Sequence, residues 1–315
     1  MDVADVTADQ RSPVIAVAER LLRRLRGVNR LGFALLFLAP SLVIFGCFVF
    51  YPLVKAAYLG FYETDIIGNQ GDFVGVDQYR TVLTSESFRH SLWVTFLFAV
   101  YTVPPGILLG LALALLANQK LAGISIFRLM FSSTVATSVA VASLMWLTLL
   151  NPSVGLLNYL LVEIGQPRID WLNDPDWALP AVSATTVWLN LGLAFIVILA
   201  GLQAIPEELY ESARIDGASG WSLFRHVTLP MLSPTLFFVS VVGTILAFQS
   251  FGQIHILTRG GPLDATTVIV YSIWQDAFRS FDYGVASVQA IALFLLVLGL
   301  TVVQLRFLER RVFYQ

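Results

Sequence analysis

Residues Glu207–Pro234 read EELYESARIDGASGWSLFRHVTLPMLSP. This charged, helix-prone stretch separates two runs, Ala178–Pro206 and Val227–Thr258, that contain no Asp, Glu, Lys or Arg. Runs of that length are long enough for helices crossing a hydrocarbon core of about 30 Å, which takes about 20 residues. The stretch between them must therefore lie outside the bilayer. Working outward, Leu31–Val54, Ser91–Ala117, Leu129–Leu150 and Val285–Leu305 are likewise uncharged. Asn151-Pro152 and Gly155 end the third of these runs. The reading is an all-α integral membrane protein with six transmembrane helices.

Composition agrees. Of the 315 residues 57% are hydrophobic and 13% are charged, whereas soluble domains carry about 25% charged residues. There is no sharp internal boundary, so residues 31–315 are read as one membrane domain and residues 1–30 as a cytoplasmic N-terminal segment, disordered over its polar first 19 residues. The apolar run after Arg30 is too long for a signal peptide's apolar region and no small-x-small site follows it, so the first span reads as an uncleaved anchor. Arginines cluster before the first span (Arg11 to Arg30), after the last (Arg306, Arg310, Arg311), and in the second and fourth loops (Lys120, Arg128, Arg214, Arg225). The other loops hold only Arg80, Arg89, Arg168, Arg259 and Arg279. The positive-inside rule then places both termini and the Glu207–Pro234 loop in the cytoplasm.

The outer loops carry short elements of their own. GDFVGVDQYRTVL reads as a turn and an amphipathic helix, GLLNYLLVEIG as an interfacial helix, and ATTVIVYSIWQDAF as a third short helix. The tryptophans of WLNDPDW suit the headgroup layer.

Several chemistries are excluded by what is missing. Neither lysine, Lys55 or Lys120, precedes Ser or Thr, so there is no phosphate-binding G-x-x-x-x-G-K-[ST] loop. His90, His226 and His255 lie outside metal-ligand spacing, and no nucleophile elbow or H-E-x-x-H pair occurs. Cys47 is the one cysteine, so no disulfide forms within the chain. A net charge of −2 leaves no nucleic-acid footprint. None of the six runs holds a carboxylate, the usual coupling group of ion-driven carriers, so the energy for transport should come from outside the chain. Coupling can also use backbone carbonyls, so an ion-coupled carrier or channel acting alone is the competing class.

Within the loop, Pro206 opens a helix whose first turn holds Glu207 and Glu208 and whose last holds Arg214, both complementing the helix dipole. Gly217 supplies a left-handed stop. A second helix over roughly Trp221–Val227 presents Trp221 and Phe224, and Pro230 and Pro234 punctuate the entry to the fifth span. One reading is an amphipathic connector lying on the membrane. Such helices carry Lys or Arg on the polar face; this one is acidic, which argues for docking into a protein cleft.

The residues Glu211-Ser212-Ala213, Asp216-Gly217-Ala218, Phe224 and Leu229-Pro230 resemble the E-A-A, D-G-A, Phe, Leu-Pro pattern of permease subunits of binding-protein-dependent ABC importers. Ser212 stands where Ala is usual, and both are small. YPLVKAAYLGFYETD, LGLALALLAN, ILAGLQAIPEELYESARIDGA and LTRGGP resemble the carbohydrate-uptake branch, the MalF/UgpA-like permeases, and the C-terminal VVQLRFLERRVFYQ resembles the glycerol-3-phosphate permeases within it. The resemblance implies a MetI-like, type I importer fold in a bacterial inner membrane. It implies a coupling role for Glu211, Ser212, Ala213, Asp216, Gly217, Ala218 and Phe224 against an ATPase subunit. It further implies a second homologous permease, two ATPase subunits that hold ATP and magnesium, and an extracytoplasmic solute-binding protein. This chain would bind no cofactor itself. The cargo would be glycerol-3-phosphate or glycerophosphodiesters, or alternatively a disaccharide or other sugar.

For the substrate path, Gln249 and Gln253 in the fifth run are four apart and would share a helix face, with Phe248 and Phe251 beside them. They could bond a hydroxylated substrate or bond other helices, and Asn190 in the fourth run is equally ambiguous. Arg259 at the outer end offers a guanidinium fork to a phosphate, or is a solvated loop residue. Ser132, Ser133, Thr134, Thr137 and Ser138 read as small residues permitting close helix packing.

Overall fold

The computed structural model describes residues 30–308 other than 66, 68 and 120. The expectations for a cytoplasmic segment ending at residue 30, and most of those for the C-terminal stretch, fall outside the described residues. The chain divides into two units, Met1–Lys55 and Ala56–Gln315.

In the first unit lies most of α1, Ala34–Leu59. It is apolar on all sides and no part of its most apolar window is buried, the pattern of a helix whose surroundings are themselves apolar. It widens into a π-helical turn at Gly46–Phe50, where Tyr51 N–H donates to Gly46 O. Pro52 follows directly, and its ring cannot fit or donate in a regular turn.

The second unit holds the remaining elements. A small hairpin, β1 (Tyr62–Thr64) and β2 (Gln70–Phe73), is followed by α2 (Val76–Thr84). Four further helices are long and apolar enough to cross a membrane: α3 (Glu86–Ala117), α7 (Pro175–Gln203), α9 (Trp221–Phe248) and α12 (Tyr283–Arg306). The expected third span is instead α4 (Ile124–Ser132), a 3-10 turn (Ser133–Ala136) and α5 (Val139–Leu149). The two halves meet at 105°, and counted as one broken span they give the sixth. The cause is the hydroxyl run. Ser132 and Ser133 donate to the carbonyls of Arg128 and Met130, both at 2.7 Å. Thr137 and Ser138 are extended, and Ser138 Oγ caps the next helix by accepting from Val141 N–H. Hydroxyls that bond the local backbone compete with the helix ladder in this way. One of the set does permit close packing: a Cβ at Gly192 would collide with Thr134 Oγ1.

The fifth run is also not one helix. α9 ends at Phe248, and α10 (Gly252–Leu257) starts after a break over residues 249–251. Ser250 Oγ turns back to Leu246 O at 3.1 Å. Gly252 lets α10 approach α5, where a Cβ would stand 2.8 Å from Val139 Cγ1. The two broken spans therefore pack on each other. At its other end α9 runs straight through Pro230 and Pro234 rather than starting after them. A π turn at Phe224–Thr228, closed by Leu229 N–H to Phe224 O, accommodates Pro230 as the turn before Pro52 does in α1. Three short helices appear where the sequence put them: α2, α6 (Leu156–Glu163) and α11 (Ile269–Phe278).

Packing follows small residues. Gly110 faces Ala194 and Gly201 faces Thr235, each leaving little or no room for a side chain; helices in lipid associate through such close approach. One buried cluster joins Phe98, Val182, Phe248, Ile254, Val268 and Tyr271. A second joins Ala114, Phe195, Ile198, Leu202 and Leu232 from α3, α7 and α9, with Ile205 from the connection after α7.

Candidate functional site

The loop between α7 and α9 carries α8, Glu207–Ile215. Pro206 sits one residue outside it with φ −58° and ψ 135°, and Glu207, Glu208 and Arg214 take the dipole-matched ends. Its stop is a Schellman turn: Ala218 N–H donates to Ala213 O at 2.9 Å and Gly217 N–H to Arg214 O at 3.0 Å. Gly217 has φ 85°, and a Cβ there would meet nothing within 4 Å. Glycine is thus required by backbone conformation alone. Glu211, Ser212, Asp216 and Gly217 are exposed, while Ala213, Ala218 and Phe224 are half-buried.

Trp221 is presented as the sequence suggests, while the display of Ile215 and the seat of Tyr210 are not announced by it. Ile215 and Trp221 stand 87% and 69% exposed at the end of α8 and the start of α9, with the Trp221 ring 5.1 Å from that of Phe224. Glu211, Asp216 and Arg225 are exposed in the same stretch. Tyr210 points the other way. It packs against the cluster of α3, α7 and α9, and its hydroxyl lies 3.2 Å from Thr228 Oγ1 at the base of α9. The signal that could have found it is the i, i+3 spacing of Tyr210 and Ala213, the two half-buried side chains of α8. The loop therefore has an outward apolar face and an inward anchor.

The residues expected to line a path do not converge. Gln249 and Gln253 do not share a face, because the helix breaks between them. Gln249 is exposed beside Val270, Leu293 and Val297, toward α12. Gln253 is buried and donates to Thr186 Oγ1 of α7 at 3.1 Å and to Ser250 Oγ at 3.2 Å, which is the interhelical role. Phe248 is core. Phe251 stacks on His255 at 5.2 Å and meets Tyr271 and Trp274 of α11. Arg259 is exposed, with φ 54°.

Asn190 is exposed to a different cavity. That hollow, of about 60 Å³, lies between α3, α7 and α9, with Thr102, Thr186, Asn190, Leu193, Phe238 and Gly243 in its wall. Its polar groups are hydroxyls and one amide, with no charged side chain. Thr186 and Asn190 are one turn apart on α7, and Gln253 braces Thr186 from behind. The hollow opens on a face of α9 whose foot is held by Tyr210, so loop and hollow share one helix.

Comparison with known proteins follows the same lines. The family described as "Binding-protein-dependent transport system inner membrane component" matches residues 106–314. The chain is 38% identical over 282 residues to the sn-glycerol-3-phosphate transport system permease protein UgpA of Agrobacterium fabrum (strain C58 / ATCC 33970), covering 89% of this chain and 95% of that one. It is 34% identical over 281 residues to the protein of that name from Yersinia pestis, with coverage of 89% and 95%. In fold it is similar to a chain of a bacterial ABC transporter involved in import of the acidic polysaccharide alginate. That match has a TM-score of 0.79 at 24% identity and covers 92% of this chain and 99% of the other. The same kind of transporter in complex with an alginate pentasaccharide-bound periplasmic protein gives a TM-score of 0.78. Matched by that family over more than half of its length, and more than 30% identical to relatives across nearly all of both chains, the chain belongs to the family of inner-membrane permease subunits of binding-protein-dependent ABC importers.

Proposed function

We propose that this permease forms half of an ATP-driven import path for glycerol-3-phosphate or glycerophosphodiesters. It would pair with a second, homologous permease, two ATPase subunits and an extracytoplasmic solute-binding protein. Both termini and the α8 loop face the cytoplasm. The observation that carries the cargo is the similarity of 34–38% across nearly the whole length to permeases named for sn-glycerol-3-phosphate transport. The arrangement of α8 supports the coupling role. Closure of the ATPase pair on ATP moves the surface bearing Glu211, Ser212, Asp216, Ile215 and Trp221. The Schellman turn keeps that surface rigid, and Tyr210 passes the movement to Thr228 and so to α9, which walls the hollow. The bundle then exchanges inward- and outward-open states, and cargo shifts that balance only through its different affinity for the two.

A second reading is import of a neutral sugar. It is favoured by the hollow itself, whose lining offers Thr102, Thr186 and Asn190 and no cation for a phosphate. Proteoliposomes containing the assembled importer, supplied with its solute-binding protein, ATP and labelled solute, decide between them. The first reading expects ATP-dependent accumulation of glycerol-3-phosphate and none of a disaccharide. Accumulation of the sugar alone overturns it.

A further inference from the structure

α3 and α12 leave a groove between them, floored by the end of α9. Both helices begin on the same side. The hairpin that leads into α2 and α3 is tied to the start of α12, where Gly284 N–H donates to Thr64 Oγ1 at 2.7 Å. Their registers are set through α9. A Cβ at Gly243 would stand 3.4 Å from Val103 of α3, and Gln304 of α12 donates its amide to Thr244 Oγ1 at 3.1 Å. Val103, Gly243 and Gln304 therefore share one level. Nearer the start of α3, Phe96, Phe248 and Leu300 form the deep end of the groove, Trp93 and Leu296 continue it, and Arg89 stands at its mouth. The groove holds about 360 Å³, and apart from Arg89 its lining is apolar.

This lining matches one ligand chemistry. Trp93 and Phe96 stand 56% and 50% exposed, with their rings stacked at 5.6 Å. Arg89 is exposed and makes no ion pair among the described residues; its Nε lies 3.5 Å from the Ser85 carbonyl. It stands two residues before the uncharged run that begins at Ser91, the level at which a span leaves hydrocarbon for headgroups. The helix from Arg89 to Phe96 rises by about 10 Å, against about 15 Å for half of a hydrocarbon core. The groove thus descends from the phosphate layer most of the way through one leaflet. We propose that it binds a phospholipid, with the Arg89 guanidinium on the phosphate and an acyl chain lying along Trp93, Phe96, Leu296 and Leu300. A guanidinium fork suits the two free oxygens of a phosphate diester. A soluble phosphate compound would meet Arg89 alone and leave the apolar wall uncovered. The groove shares no lining residue with the hollow of Asn190, and the proposal is independent of which cargo the importer carries.

The test titrates the purified, assembled importer in detergent with a phospholipid brominated on its acyl chains. It reads quenching of the part of the emission that Trp93→Phe removes, a change that keeps an aromatic wall. The expected result is quenching that saturates at one lipid per copy of this permease. One basic residue at a lipid headgroup corresponds to about a fivefold change in affinity. Arg89→Gln should therefore raise half-saturation by about that factor at an unchanged melting temperature, while Arg89→Lys stays near the parent. The deacylated headgroup, a glycerophosphodiester at equal concentration, should not displace the lipid. Absence of Trp93-dependent quenching overturns the proposal, because protein, such as a helix of a partner permease, then covers the groove. Quenching that grows without saturation and is equal in Arg89→Gln overturns it in favour of ordinary boundary lipid. Displacement by the glycerophosphodiester overturns the acyl-chain assignment and leaves an anion site.

Discussion

Gly217→Val isolates the mechanical role of the α8 loop. At φ 85° a side-chain-bearing residue costs about 1–2 kcal/mol relative to glycine, and a β-branched one sits at the upper end. No atom lies within 4 Å of the position a Cβ would take, so no clash adds to this. If the turn opens to relieve the strain, it loses the bonds from Ala218 N–H to Ala213 O and Gly217 N–H to Arg214 O, each of net value about 1 kcal/mol. Either way the native turn is disfavoured by roughly 1–2 kcal/mol, a factor of about 5 to 30 in its population. Gly217 is exposed and belongs to neither buried cluster, so the bundle should keep its thermal stability. In the reconstituted importer, ATP hydrolysis should persist while solute moved per ATP falls several-fold. Gly217→Asn, which tolerates left-handed backbone, should recover most of it. Full coupled transport in Gly217→Val, or equal failure in Gly217→Asn, would refute the argument from backbone conformation.

Three further outcomes are expected. Tyr210→Phe keeps the ring in the cluster but deletes the contact to Thr228; a hydrogen bond worth about 0.5–1.5 kcal/mol should lower solute moved per ATP by about two- to tenfold, read in the same proteoliposomes. Gly192→Val forces a side chain into Thr134 and should destabilise the bundle by about 1–3 kcal/mol, seen as a lower unfolding temperature in detergent. Asp276 of α11 should set a pH dependence. Burial pushes its carboxyl above the usual 3.8, opposed by the amide of Gln289 donating at 2.8 Å and reinforced by Asp282. A folded-state value raised in this way means the stability is fully present below pH 3.8 and is lost as pH rises through the folded value. Asp276→Asn can still accept from Gln289. It should therefore match the parent in acid and exceed it in melting temperature above that window.

Much of this architecture is legible in the chain because bilayer thickness leaves a mark on composition. The six uncharged runs locate every span, and Gly217 marks the stop of α8 because only a residue free of Cβ strain suits a left-handed turn. Periodicity and charge do not register a break inside an apolar run. The bend at Thr137-Ser138 and the gap at 249–251 arise from hydroxyls bonding the local backbone and from the close approach of Gly252 to Val139. Both leave the hydropathy unchanged. The expectation of a Gln249–Gln253 face assumed helical continuity and failed with it, while Asn190, ambiguous in the sequence, lies on the unbroken α7 in the wall of the hollow. The β1–β2 hairpin escaped notice because YET and QGDF show no run of β-branched residues.

The central claim is that energy enters through the surface of α8 from a separate ATPase, not from an ion gradient across the membrane. Solute uptake by vesicles holding the whole importer, measured with its ATPase subunits catalytically disabled and with proton and sodium gradients imposed, tests this most directly. The account predicts no accumulation under any gradient and full accumulation when intact ATPase and ATP are restored. Accumulation driven by a gradient with the ATPase disabled would contradict it.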